Sequence, residues 1–60
     1  MNYEQVEAVA KDILAKLNSG ELKKSEAVAC LEEIQRTAGN EFYLVNEDGT
    51  YYLMEDGEEI

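Results

Sequence analysis

The sequence predicts an α+β domain, an antiparallel helix pair followed by a C-terminal β-hairpin, in the order ααββ. Three observations carry this reading. Apolar residues recur at spacings of three and four from Tyr3 to Leu17 and again from Ala27 to Ala38, the period of a helix with one buried face. A polar, glycine-bearing break at Asn18-Ser19-Gly20 separates the two stretches. Beyond residue 40 the pattern becomes two short runs rich in aromatic and branched side chains around a turn signal, which reads as a hairpin. The elements fall at 2–18 and 25–38 for the helices, 41–46 and 50–55 for the strands, and 56–60 for an acidic tail. All belong to a single small domain over residues 1–60.

Asn2 is the expected N-cap of the first helix, with Gln5 three residues on completing a capping-box-like start. Tyr3, Val6, Val9, Ala10, Ile13, Leu14 and Leu17 form its apolar stripe. Glu7 with Lys11 and Asp12 with Lys16 stand at i,i+4 in the favourable order, each pair contributing a few tenths of a kcal/mol. Gly20 suits the left-handed residue that ends such a helix. Leu22 is placed to drop between the helices, and Ser25 is the expected cap of the second. That helix turns Ala27, Leu31, Ile34 and Ala38 inward, flanked by Val28 and Cys30, pairs Glu32 with Arg36, and ends at Gly39-Asn40.

The hairpin turn Asn46-Glu47-Asp48-Gly49-Thr50 suits a three-residue loop, a type I turn followed by a left-handed glycine and a bulge. In that register Phe42, Leu44, Tyr52 and Met54 share one face, and Tyr43, Val45, Tyr51 and Leu53 share the other. A two-residue loop on Asp48-Gly49 shifts the pairing by one and still leaves two apolar faces. Glu55-Asp56-Gly57-Glu58 echoes the Glu-Asp-Gly turn eight residues later. Only Glu59 and Ile60 follow, so any third strand is a stub, and a frayed acidic tail is the expected outcome. Dimerisation is the other way to complete the sheet.

Sixty residues bury only about 60% of the unfolded chain's surface, and a core of this size supplies ~3–5 kcal/mol without a staple. A single cysteine excludes an internal disulfide, and the absence of histidine leaves no cysteine–histidine set for zinc. The lone cysteine and the lack of an N-terminal apolar run point to a cytoplasmic setting without export. No stretch approaches the ~18 apolar residues of a membrane span.

The formal net charge is −9, and it is unevenly placed: residues 1–20 and 21–40 carry −1 each, residues 41–60 carry −7 with no base. Such a field repels nucleic-acid phosphates and anionic lipid and attracts basic surfaces. The corner between the helices has the outline of a helix–turn–helix. Its second helix offers one arginine against three glutamates, so it does not suit DNA reading.

Catalysis is not expected. The commonest general base is missing, the hydroxyls Ser19, Ser25 and Thr37 sit at helix ends, and Cys30 reads as a small core residue. Aligning Gly49 with the glycine of a calcium loop places Asn46, Asp48 and Glu55 at ligand positions, but Leu44 falls where the first aspartate belongs and strands replace the helices. No cofactor or metal is therefore expected. What remains is apolar and acidic together. Tyr43, Val45, Glu47, Asp48, Tyr51, Leu53, Glu55 and Asp56 are the candidate partner-binding residues, since tyrosine supplies large contact area at low entropic cost. The function expected from them is docking of an acidic, tyrosine-rich hairpin on a basic, nucleic-acid-binding surface of a partner protein, as an inhibitor or modulator. Short acidic inhibitors of phages and mobile elements share this size and charge, an analogy that rests on no motif. The alternative is a structural homodimer that pairs hairpins into one continuous sheet.

Overall fold

Helix α1, Tyr3–Ser19, buries Val6, Ala10, Ile13 and Leu17 in the computed structural model, which describes residues 3–39, 41–55 and 57–60. The buried positions lie three and four apart, so the inward stripe follows the helical period. Tyr3 and Val9, at its margins, remain 50% and 39% exposed. The expected cap at Asn2 lies outside the described residues. At the other end Gly20 takes φ 88° and its N–H reaches the Leu17 carbonyl at 3.2 Å, while the Leu22 N–H reaches that of Lys16 at 3.1 Å. Leu22 then packs against the core from the corner.

Helix α2, Lys24–Ala38, starts one residue ahead of the expected Ser25 cap, with Lys23 at the N-cap position. The reason is Glu26, whose Oε1 accepts the Lys23 backbone N–H at 3.0 Å. That carboxylate satisfies one of the donors left over at a helix start and lies at the positive end of the helix dipole. Ala27 and Leu31 are buried, with Ile34 and Ala38 packed against them. Gly39 ends the helix at φ 76°, its N–H bonding the Gln35 carbonyl; Asn40 lies outside the described residues.

Three antiparallel strands follow: β1 Tyr43–Glu47, β2 Thr50–Glu55 and β3 Glu58–Glu59, in the spatial order β1-β2-β3. The architecture is therefore α+β with the predicted ααββ order plus a short third strand. The register corrects the expected loop. Glu47 pairs with Thr50, Asn46 with Tyr51, Val45 with Tyr52, Leu44 with Leu53 and Tyr43 with Met54, so the loop has two residues. Asp48 and Gly49 both take positive φ, 53° and 84°, the combination of a type I′ turn whose twist matches that of the strands. Asn46 keeps its turn role, its Oδ1 accepting the Gly49 N–H at 3.4 Å.

The shifted pairing re-sorts the faces. Phe42, Leu44, Tyr51 and Leu53 turn toward the helices, with Phe42 at 5% and Leu53 at 0% exposure, and Leu44 and Tyr51 packed against them. The tail is likewise no frayed end. Met54 pairs with Glu59 and Glu55 with Glu58, the Ile60 N–H reaches the Leu53 carbonyl at 3.0 Å, and Ile60 joins the core. The centre of the molecule is thus β2 lying on α1, with Leu53 enclosed by both.

Leu53→Ala should remove about 2–5 kcal/mol, comparable to everything a core of this size supplies, and abolish a cooperative urea transition followed by circular dichroism. Gly49→Ala should cost about 1–2 kcal/mol, the penalty for a side chain in the left-handed region, and leave a weakened but cooperative transition.

Candidate functional site

Strand alternation places Tyr43, Val45, Tyr52 and Met54 on the side of the sheet away from the helices. They form two directly opposed cross-strand pairs, Tyr43 with Met54 and Val45 with Tyr52. Pairs of aromatic with branched or thioether side chains of this kind stabilise a sheet and make a continuous apolar surface. Tyr43 is 55% and Val45 41% exposed, while Tyr52 and Met54 are half-buried. The Tyr43 hydroxyl donates to Glu41 Oε2 at 3.1 Å, which holds the ring's polar end toward the margin. Glu47 and Glu59 are exposed and fall on the same side by alternation, with Asp48 at the turn.

Four of the eight candidate residues therefore remain together as expected: Tyr43, Val45, Glu47 and Asp48. Tyr51 and Leu53 do not belong to this surface. Leu53 is wholly enclosed, and Tyr51 lies on the helix side with the Lys24 ammonium 5.9 Å from its ring centroid. Glu55 also turns to the helix side, where one of its oxygens accepts the Tyr3 hydroxyl. Asp56 lies outside the described residues. Tyr52, Met54 and Glu59 are the members the sequence reading missed. The preference of Asp-Gly for a two-residue turn was the signal that could have found Tyr52 and Met54.

The two long edges of the sheet differ. In a two-residue hairpin the closing pair Glu47–Thr50 exchanges its hydrogen bonds, so Asn46–Tyr51 and Leu44–Leu53 point theirs outward. On the β2 side the Tyr51 N–H and carbonyl and the Leu53 carbonyl are taken. Asn18 of α1 accepts the Tyr51 N–H on Oδ1 at 2.9 Å and donates from Nδ2 to the Tyr51 carbonyl at 3.1 Å. Ile60 takes the Leu53 carbonyl. On the β1 side, Gln35 Nε2 of α2 donates to the Phe42 carbonyl at 3.3 Å. The outward N–H and carbonyl groups of Leu44 and Asn46 have no partner among the described residues. Beside them a groove of about 330 Å³ runs between α2 and β1, lined by Val28, Leu31, Glu32, Gln35, Phe42 and Leu44.

The charges follow the same division. Lys11 pairs with Glu7 at 3.3 Å and Lys16 with Asp12 at 3.0 Å, both as expected, and the Asp12 hydrogen bond holds the Lys16 ammonium above its ordinary pKa. Arg36 pairs with Glu33 at 3.7 Å and not with the expected Glu32, which lines the α2–β1 groove. Cys30, expected in the core, is exposed in a shallow apolar groove with Val9, Ile13 and Ile34, since its position lies at the outer margin of the α2 stripe.

No group of three or more His, Cys, Asp or Glu among the described residues is arranged to hold a metal ion. The Asn46 oxygen that the calcium alignment required is bonded to the turn. No helix is long and apolar enough to cross a membrane. The chain matches no family model, no curated protein and no solved structure.

The Tyr3–Glu55 bond fastens the start of α1 to the end of β2 and has a titration signature. The Tyr3 phenol is pushed up to about 12, chiefly by the Glu55 hydrogen bond, then by desolvation and neighbouring negative charge. The folded state holds this proton more tightly than the unfolded chain. The stabilisation is therefore complete below the ordinary value of 10.0 and is lost as pH rises toward the folded value. In a phenolate absorbance titration Tyr3→Phe should lose a component that ionises at about pH 12, and its alkaline unfolding should begin from a lower starting stability. Asn18→Leu, which strips both bonds from the Tyr51 backbone, should cost about 1–3 kcal/mol in urea denaturation.

Proposed function

We propose that this chain is a small, non-enzymatic protein-binding module that docks the open face of its sheet on a basic surface of a partner protein. The observation that carries the reading is the coincidence of an uncovered apolar patch, Tyr43, Val45, Tyr52 and Met54, with a C-terminal third that carries −7 and no base. The patch supplies contact area and the acids supply orientation and selectivity, the usual division of labour at protein interfaces. A partner surface that binds nucleic acid meets these requirements best, because carboxylates spaced along a strand then occupy the place of phosphates. On such a target the module acts as an inhibitor or modulator by competition. Its partners on this reading do not include nucleic acid itself or a membrane, and its working place is the cytoplasm.

The open β1 edge favours a second reading, a homodimer in which β1 of each copy pairs across a two-fold axis. Each copy brings a net charge of −9, so that pairing opposes like charges at the seam.

Immobilised chain should retain a partner with a basic face from cell extract, and salt should release it. Glu47→Lys with Glu59→Lys, both on exposed positions, should weaken retention at least tenfold and flatten its salt dependence. Val45→Ser with Tyr52→Ser should weaken it by about 2 kcal/mol or more, roughly thirtyfold, with the salt dependence kept. A duplex oligonucleotide should compete for the captured partner. Retention indifferent to both pairs of substitutions overturns the proposal, and a concentration-dependent dimer mass in sedimentation with no partner captured favours the homodimer.

A further inference from the structure

The two edges of the sheet are finished in different ways, and the difference specifies a ligand. On β2 the outward N–H and carbonyl of Tyr51 and the carbonyl of Leu53 are closed by the chain itself, through Asn18 and Ile60. On β1 the closure stops at Phe42, where Gln35 takes the carbonyl, and the outward groups of Leu44 and Asn46 have no partner among the described residues. Leu44 lines the α2–β1 groove, and Asn46 follows it along the same edge. An added strand there gains main-chain hydrogen bonds from β1 and sends alternate side chains into the groove and onto the open face.

Charge decides which strand fits. Glu32 lines the groove and makes no ion pair among the described residues, since Arg36 takes Glu33 instead. On the open face Glu41 and Glu47 bracket the same edge, and no residue after Arg36 is basic. A second copy of β1 would bring its own Glu47 and Asp48 to this seam. An extended segment with bases at alternate positions sets them on the open face against Glu41 and Glu47, and the residues between them enter the groove against Val28, Leu31, Phe42 and Leu44.

We infer that the β1 edge and the α2–β1 groove bind an extended peptide segment in which lysine or arginine alternates with aliphatic residues, by strand addition. This rests on reading the chain as a protein-binding module and names the form in which the partner presents itself. The basic surface of the partner is then a strand or an unstructured segment and not a preformed convex face. Main-chain pairing supplies affinity, the groove accepts aliphatic side chains, and Glu41 and Glu47 on the open face select for positive charge.

The test uses the intact 60-residue chain and a fluorescent heptapeptide that alternates lysine and valine, followed by anisotropy. Two isomers carry backbone N-methyl groups, one on every lysine and the other on every valine. In an added strand only one of these sets points its N–H groups at β1. One isomer should therefore lose binding at least tenfold while the other matches the parent peptide. Glu47→Lys should weaken the parent peptide at least tenfold, whereas Glu33→Lys, the same charge change away from this edge, should match wild type. Equal behaviour of the two isomers, with parent binding still lost in Glu47→Lys/Glu59→Lys, overturns strand addition and leaves docking on the open face standing. A parent peptide that fails to bind, or binds no better than its glutamate–valine counterpart, overturns both. Self-association of the free chain that excludes the peptide assigns the edge to a second copy and overturns the inference.

Discussion

A two-residue turn leaves no freedom in the parity of the strands it joins. With Asp48 and Gly49 both at positive φ, Glu47 must face Thr50, and every side chain of the hairpin is thereby assigned to one side. The inward set is Phe42, Leu44, Tyr51 and Leu53; the outward set is Tyr43, Val45, Tyr52 and Met54. A one-residue slip would join Phe42 and Leu44 with Tyr52 and Met54 and strand Leu53 on the far side. The same parity directs backbone groups as well as side chains. Tyr51 and Leu53 point theirs away from β1, which is why Asn18 and Ile60 can meet them. Core, helix–sheet seam, third strand and open edge are therefore four consequences of one turn.

The helices were legible because a period of three and four is a local signal that tertiary packing reinforces. Val6, Ala10, Ile13, Leu17, Ala27 and Leu31 are buried where the pattern puts them. The turn was only half legible. Asn46 and Gly49 suit both a three-residue bulged loop and a two-residue loop, and Asn46 bonds the Gly49 N–H as expected in either, so local chemistry could not separate registers that differ by one residue. Asn18 reads locally as a helix stop, but its partner Tyr51 lies 33 residues away and no periodicity carries that pairing. Ile60 was undervalued for the same reason. The repeated Glu-Asp-Gly was a true turn signal, with Gly57 at φ 80°, and what secures the short strand behind it is a terminal apolar side chain reaching the core.

The division of charge follows the division of secondary structure. All five bases lie between Lys11 and Arg36, and three of them are engaged by acids on their own helix. Those exposed pairs contribute little to stability. Their larger effect is to neutralise the helices, so the uncompensated field belongs to the sheet. At physiological salt that field reaches about 8 Å, roughly the width of two strands, and it acts on whatever lies against the sheet rather than on distant solutes. On the proposed reading the acids discriminate among surfaces already in contact, which fits their place around an apolar patch.

An exposed strand edge is a hazard, and proteins blunt it with cover, bulges, proline or charge. This chain uses cover on β2, where a helix side chain and a third strand close the ladder. On β1 it uses charge alone, with Glu41, Glu47 and Asp48 of one sign and Glu32 behind them. The two devices differ in what they exclude. Cover rejects every strand, whereas like charge rejects acidic strands, this chain's own β1 among them, and admits basic ones. On the proposed reading, a sheet with β2 covered and β1 guarded only by sign is closed to indiscriminate association yet open to a defined class of partner. That asymmetry follows from placing Asn18 and the third strand on the β2 side, since the described residues hold no further element with which to cover both.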